Sequence, residues 1–289
     1  MQTIVVTGGA GFIGGRLCER LHDAGAQVIS LDNYFTGLAE AHVAGVDYRR
    51  GHTRDIAALV PETPDVVFHL GEYSRVEKSH EEPALVWDLN KAGTFGVAEF
   101  CRQRGSKLVY AGSSTKFADG GLGRDQSPYA WTKATNTELV RNYGDWFGLN
   151  YAITYFYNVY GPGERAGAYG TLIEIFRRKF LAGEPLSVVA PGTQQRIFTH
   201  IDDIVDGLVL VGARGEGDEF GLGADEAFSV LEVAQMFGGQ IEMLPERAGN
   251  RMSAWLNVAK SQGLGWSARR KLADYVAGIK HAAANVAAG

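Results

Sequence analysis

Three glycines, Gly8, Gly11 and Gly14, stand at three-residue spacing between the apolar run Thr3–Thr7 and the amphipathic stretch Phe12–Ala24. No other feature limits the fold so strongly. Thr-Ile-Val-Val-Thr is β-branched and apolar, as a strand buried on both faces must be. The stretch after it has helical periodicity. A strand, glycine turn and helix in this order open a βαβ unit whose helix N-terminus can receive phosphate. The first glycine makes the turn, the second admits a pyrophosphate close to the backbone, and the third lets the helix pack on the strand. A second apolar run, Gln27–Leu31, ends in Asp32, eighteen residues beyond Gly14. A carboxylate there accepts hydrogen bonds from an adenosine ribose and repels a 2′-phosphate, so NAD is expected rather than NADP.

The alternation continues. Residues 65–70, 107–111 and 151–157 read as strands, and 81–104 and 128–147 as long helices. Such alternation predicts an α/β chain, a Rossmann-type doubly wound parallel sheet. The second half differs, with Gly161-Pro-Gly, Gly183-Glu-Pro, Pro191-Gly-Thr and Gly221-Leu-Gly separating short helical stretches. The expected organisation is a dinucleotide-binding domain over 1–157 and a smaller C-terminal lobe over 158–289, with the chain free to cross between them.

A net charge of −5 with no long basic run argues against nucleic acid or an anionic membrane as partner. Cys18 and Cys101 are too few for a disulfide framework and fit a reducing cytoplasm. No apolar stretch approaches the roughly 20 residues that span a bilayer, and the strand at the N-terminus leaves no room for a signal peptide. No metal site is expected.

The chemistry is carried by Tyr129 and Lys133, four residues apart and therefore on one face of a helix. An ammonium close to a phenol favours the phenolate. Such a tyrosine can take the proton of an alcohol while hydride leaves the same carbon for a nicotinamide. Ser113 follows the strand over 107–111, at the edge of a parallel sheet where ligands bind, and could hold the substrate oxygen. Ser114 and Thr115 are close alternatives. The bland reading of a Tyr and a Lys on a solvated helix face loses weight because a dinucleotide turn lies upstream.

With these motifs in place the chain resembles the extended short-chain dehydrogenases/reductases of the nucleotide-sugar epimerase/dehydratase group, near the UDP-galactose 4-epimerases. The likeness spans nearly the whole length. It runs through Thr7–Gly14, Asp32–Gly37, His69-Leu70, Asn90–Thr94, Ser113–Thr115, Ser127–Lys133, Tyr157–Gly163, Arg196–Asp203 and Leu264–Trp266. The resemblance implies that Ser113, Tyr129 and Lys133 are catalytic. It implies that Phe12, Ile13, Asp32, Asn33, Thr36, Gly37, Leu70 and Asn90 hold NAD together with the three glycines, Tyr129 and Lys133. It makes the C-terminal lobe the binder of a nucleotide-sugar, with Asn158 touching substrate and Arg196 and Arg247 holding the diphosphate. Arginine suits that task through its planar fork of donors. Asn250 replaces the usual aspartate of Arg-x-Gly-Asp and can still accept from a ribose. A homodimer, packed through the helices over 81–104 and 128–147, is also implied.

Similar dehydratases and decarboxylases carry an acidic residue one or two places after the catalytic hydroxyl. Here those places hold Ser114 and Thr115, which match the epimerases, so C4 epimerisation of a UDP-sugar is expected. Ala254 stands where the family limits space around the C2 substituent, and its small size would admit N-acetylated sugars beside UDP-glucose and UDP-galactose. The alternatives are a nucleotide-sugar reductase or dehydrogenase, a UDP-uronate 4-epimerase, and a non-catalytic NAD sensor. Several positions depart from the family. His52 replaces an acid facing the adenine, Tyr155 replaces a common arginine, and Glu72-Tyr73-Ser74 replaces small residues after His69-Leu70. Glu72, Ser74 or Arg75 could there read an unusual substrate.

Overall fold

The computed structural model describes residues 1–113, 123–165, 170–246 and 256–288. Seven strands form the main sheet: β1 (Thr3–Thr7), β2 (Gln27–Asp32), β3 (Asp47–Arg50), β4 (Val66–His69), β5 (Lys107–Ala111), β6 (Tyr151–Phe156) and β7 (Gly217–Leu222). Their spatial order is β7-β6-β5-β4-β1-β2-β3. The pairs from β6 to β3 are parallel, with Thr7 beside Leu31 on one side and His69 on the other. This is the doubly wound α/β sheet that the alternation predicts. The chain winds outward from β1 through β2 and β3, then restarts on the other side with β4. The switch point therefore lies between β1 and β4, the place where parallel sheets bind ligands.

Two strands of this sheet escape the sequence reading. β3 reads Asp-Tyr-Arg-Arg and has no apolar run, because it lies at the sheet edge and is half exposed. β7 reads Gly-Asp-Glu-Phe-Gly-Leu and is supplied by the second half of the chain. The long helix expected over 81–104 is three pieces: Pro83–Val86, a π-helical turn Trp87–Ala92, and α2 (Gly93–Arg104). The first helix, α1, covers Phe12–Asp23.

Contacts divide the described residues into two compact units. The first takes Met1–Tyr155, Val205–Gly221 and Asn257–Trp266, and the second takes the remainder. The chain thus returns twice to the first unit after leaving it. One return is anchored by Lys107 Nζ, which donates to the carbonyls of Val211 and Gly212 at 3.2 and 2.8 Å, and by an Arg20–Asp206 ion pair.

The second unit has its own core, with Ile173, Phe176, Val188, Phe198, Val233 and Phe237 all buried. Three small sheets frame it: Val159–Tyr160 with Thr199–His200, Leu186–Val189 with Ile241–Leu244, and Gln195–Ile197 with Ala227–Ser229. Its helices are longer than the glycine-rich sequence suggests, the last running from Leu272 to Ala288. Among the described residues no helix is long and apolar enough to cross a membrane.

Candidate active site

The glycine turn follows β1. Gly8 has φ +75°, and a Cβ there would lie 2.9 Å from Gly71 Cα, in the turn after β4. A Cβ on Gly14 would come to 2.1 Å from the Gly8 carbonyl oxygen, so α1 meets the turn only because Gly14 has no side chain. Gly11 precedes α1 and no side chain caps that helix. Its first N–H groups therefore face the turn. Phe12 and Ile13 are the first two residues of α1, both partly buried.

Asp32 ends β2. Its carboxylate accepts from the Ala10 N–H at 3.0 Å and the Tyr34 N–H at 2.7 Å. Asn33 Oδ1 accepts from the Phe35 N–H at 3.0 Å, and Leu38 N–H reaches the Ala10 carbonyl at 3.2 Å. The segment carrying Thr36 and Gly37 is thereby folded back on the glycine turn. A Cβ on Gly37 would meet Ala10 Cβ at 2.9 Å. Leu70 is held from β1, its N–H donating to the Thr7 carbonyl at 3.2 Å. The cradle, the uncapped helix and the acid at the end of β2 fit a dinucleotide. His52 accepts from the Arg54 N–H through Nδ1, and its Nε2 lies 3.3 Å from Asp88, so a carboxylate from another element stands beside it.

Tyr129 and Lys133 ride on α3 (Pro128–Phe147). Ser127 Oγ caps it by accepting from the Ala130 N–H at 3.0 Å, Pro128 occupies its first turn, and Gly148 at φ +69° ends it. These local signals put Tyr129 in the first turn and Lys133 one turn later. The Tyr129 hydroxyl donates to Ser113 Oγ at 3.2 Å. The three predicted catalytic residues thus meet at the C-terminal end of β5. Gly112 has a packing reason, since a Cβ there would lie 2.5 Å from the Tyr155 ring. Tyr155 itself is buried and donates to Asp218 at 2.7 Å.

Under these residues lies a buried polar network. Lys133 Nζ forms an ion pair with Glu72 and also donates to the Ala111 carbonyl. Glu72 further accepts from Thr94 Oγ1 at 2.7 Å, Asn136 Nδ2 at 2.9 Å and the Tyr110 hydroxyl at 3.3 Å. Burial pushes the Glu72 carboxyl up, but the Lys133 ammonium, the His69 side and the hydrogen bonds outweigh it and hold the group below the ordinary carboxylate range. An ionised Glu72 cannot donate, so Thr94 gives it its only hydroxyl proton. Thr94 Oγ1 must then accept from His69 Nε2, 3.1 Å away. That fixes the tautomer: His69 Nδ1 accepts from Thr7 Oγ1 at 2.7 Å. Burial, with Lys133 adding to it, pushes His69 down to about 4, which agrees with a neutral ring.

Asn90 is fully buried in the π-helical turn. Its amide accepts from the Tyr73 N–H at 2.7 Å and donates to Thr132 Oγ1 at 3.0 Å, tying the segment after β4 to α3. Tyr73 is buried and donates to Glu82 at 2.6 Å. Arg75 Nη1 donates to the Ser74 carbonyl at 3.1 Å.

The sequence reading missed Thr94 and Asn136 as parts of the site. Asn136 is seven residues after Tyr129 and so shares its helix face, a signal present in the spacing. It also placed Glu72 as a possible reader of substrate. The structure instead buries Glu72, 4% exposed at its side chain, against four internal donors.

In the second unit Asn158, at φ +32°, donates through Nδ2 to the Ile197 carbonyl at 2.9 Å. Arg196 is next to Ile197 on the same strand and is partly buried. Asn158 is therefore tied to the backbone of the strand that carries Arg196. Ser114, Thr115, Arg247, Asn250 and Ala254 lie outside the described residues.

Residues 4–223 match the model of the NAD dependent epimerase/dehydratase family. Among curated proteins the chain is 30% identical to a UDP-glucose 4-epimerase of Mycolicibacterium smegmatis, over 96% of both chains. It is 26% identical to a UDP-N-acetyl-alpha-D-glucosaminuronate decarboxylase of Bacillus cytotoxicus, over 80% of this chain and 78% of that one. Among solved structures, the Thermus thermophilus UDP-glucose 4-epimerase in complex with NAD superposes with a TM-score of 0.86 at 27% identity, over 95% of this chain and 96% of that one.

Proposed function

The chain belongs to the NAD-dependent epimerase/dehydratase family, and from that premise we propose that it epimerises C4 of a UDP-sugar through a transient 4-keto sugar. The observation that carries this reading is the meeting of Ser113, Tyr129 and Lys133 beside a dinucleotide cradle. When bound, NAD supplies an acceptor that takes hydride from the sugar and gives it back. Gly8, Gly11 and Gly14, with the N-terminus of α1, would hold its pyrophosphate, and Asp32 would hold its ribose. Tyr129 Oη takes the proton of the sugar's 4-hydroxyl and later returns it. Ser113 Oγ holds the same oxygen by a hydrogen bond. Lys133 favours the phenolate form of Tyr129 from within the helix. Arg196 and Arg247 hold the diphosphate, and Asn158 contacts the sugar-nucleotide.

The decarboxylase relative raises a second chemistry on the same scaffold. Ser114 and Thr115 argue against it, since neither side chain can act as a carboxylic acid. Ala254 supports a site that admits an N-acetyl group at C2. Purified protein, with no added cofactor, is expected to interconvert C4 epimers in an NMR assay with UDP-glucose, UDP-galactose, their N-acetylated forms and UDP-glucuronate. N-acetylated sugars should be turned over along with the plain hexoses. Turnover only of a keto sugar with supplied NADH would replace the epimerase with a reductase.

The dimer is part of the same proposal. Trp87, Phe95, Trp131, Trp146 and Phe147 are all exposed on the helical stretches before β5 and on α3, and Trp87 stacks on Trp131 at 5.8 Å. Clustered exposed aromatics of this kind mark an interaction face. Sedimentation should show twice the chain mass for the wild type and the single chain mass for Trp87→Glu. An unchanged mass in that variant would move the interface elsewhere.

A further inference from the structure

Glu72 is a buried carboxylate paired with the lysine of the candidate catalytic set. With a small residue there, Lys133 Nζ would face the Ala111 carbonyl and the Tyr110 ring, whose centroid is 4.5 Å away, and its charge would act undiminished on Tyr129. Here a carboxylate is pinned against that ammonium. Thr94, Asn136 and Tyr110 fill its other lone pairs, so it cannot swing away without leaving buried donors unpaired.

We propose that Glu72 is a positioning residue: it fixes Lys133 Nζ, offsets its charge, and thereby sets the pH at which Tyr129 gives up its proton. The inference rests on the reading of Tyr129 as the proton-transfer group. The charged and titratable groups facing Glu72 are few. Lys133 comes from α3 and Lys91 from the π-helical turn, where it feels Glu72 across partly buried space. His69, at the end of β4, is neutral at pH 7. Tyr110, from β5, is held as a phenol by burial and by the Glu72 charge. Tyr129 lies one helical turn before Lys133 on α3, and its hydroxyl bonds Ser113, two residues beyond the Ala111 carbonyl that Lys133 Nζ holds. The Glu72 carboxylate weakens the pull of the Lys133 ammonium without abolishing it, whereas an isolated lysine would draw the phenol further toward ionisation.

The network also extends to the cofactor cradle. Thr7 Oγ1, which accepts from the Gly71 N–H at 3.0 Å, is linked through His69 and Thr94 to Glu72. The carboxylate is thus held directly by residues of α2, α3 and β5, and through Thr94 and His69 it is linked to β4 and β1.

The test is an ultraviolet difference titration of the free protein, following tyrosinate absorbance, with the Tyr129→Phe titration subtracted. In Glu72→Ala and Glu72→Gln the Tyr129 midpoint is expected to fall by about one pH unit or more. The acid limb of kcat/KM should fall with it, and Glu72→Asp should return both toward the wild type. A purely structural role would lower stability without moving the midpoint. Either replacement that folds reads the result. A midpoint that stays in place or rises overturns the proposal. Because the titration needs no substrate, a shifted midpoint in a protein that epimerises nothing would sink the proposed function and leave the role of Glu72 standing.

Discussion

Replacing Tyr129 by Phe is expected to lower kcat for sugar interconversion by about 10²–10⁴-fold, the range general acid–base groups contribute. The change removes one hydroxyl whose hydrogen bond goes to Ser113 Oγ at 3.2 Å. The ring still packs against Tyr73, Val86 and Leu89, so the fold has little to lose. Stability should fall by no more than about 1 kcal/mol, the net worth of a typical hydrogen bond. KM should change far less than kcat, because the phenol acts on the proton in flight rather than on bound substrate. The readout is steady-state NMR turnover beside a thermal melt. A variant retaining a tenth of wild-type kcat would remove Tyr129 from the proton transfer.

Lys133→Met should damage both activity and stability. The ammonium that favours the phenolate is gone, so kcat should fall by about 10²-fold or more. Glu72 is then left buried with neutral donors only. Removing one partner of a buried ion pair costs about 3–5 kcal/mol, and Lys133 and Glu72 are 6% and 4% exposed. Urea denaturation should show that loss as a lower midpoint at an unchanged slope. The double variant Lys133→Met/Glu72→Gln should recover most of the stability and none of the activity. A double variant as unstable as the two single losses summed would mean that the pair is not what the lysine stabilises. The two variants therefore separate what Lys133 does for the fold from what it does for Tyr129.

Much of the frame is legible in the chain itself. The β-branched run ending at Thr7, the spacing of Gly8, Gly11 and Gly14, and the acid at 32 each act over a few residues. The cap Ser127, the proline after it and Gly148 bracket α3 by equally local rules, so residue spacing alone puts Tyr129 and Lys133 on one helix face. β3 and β7 are not legible because edge strands need no continuous apolar run, and β7 arrives from 60 residues after its neighbour β6. The π-helical turn at Trp87–Ala92 reads as ordinary helix, since its widened turn keeps the same residue types.

Short stretches of the chain already carry the side chains able to do hydride chemistry and the parallel, doubly wound character of the sheet. Those properties follow from backbone sterics, hydrogen-bond reach and side-chain period, all of them short-range along the chain. The environment of Glu72 exists only in the folded chain. The residue sits 61 positions from Lys133 in sequence, and four separate elements close around it. In water a carboxylate at that position is a solvated surface acid. Taken into the interior, its charge must be balanced by an ammonium and by hydrogen-bond donors from elsewhere in the chain, and that requirement follows from burial, which no short stretch of sequence can supply.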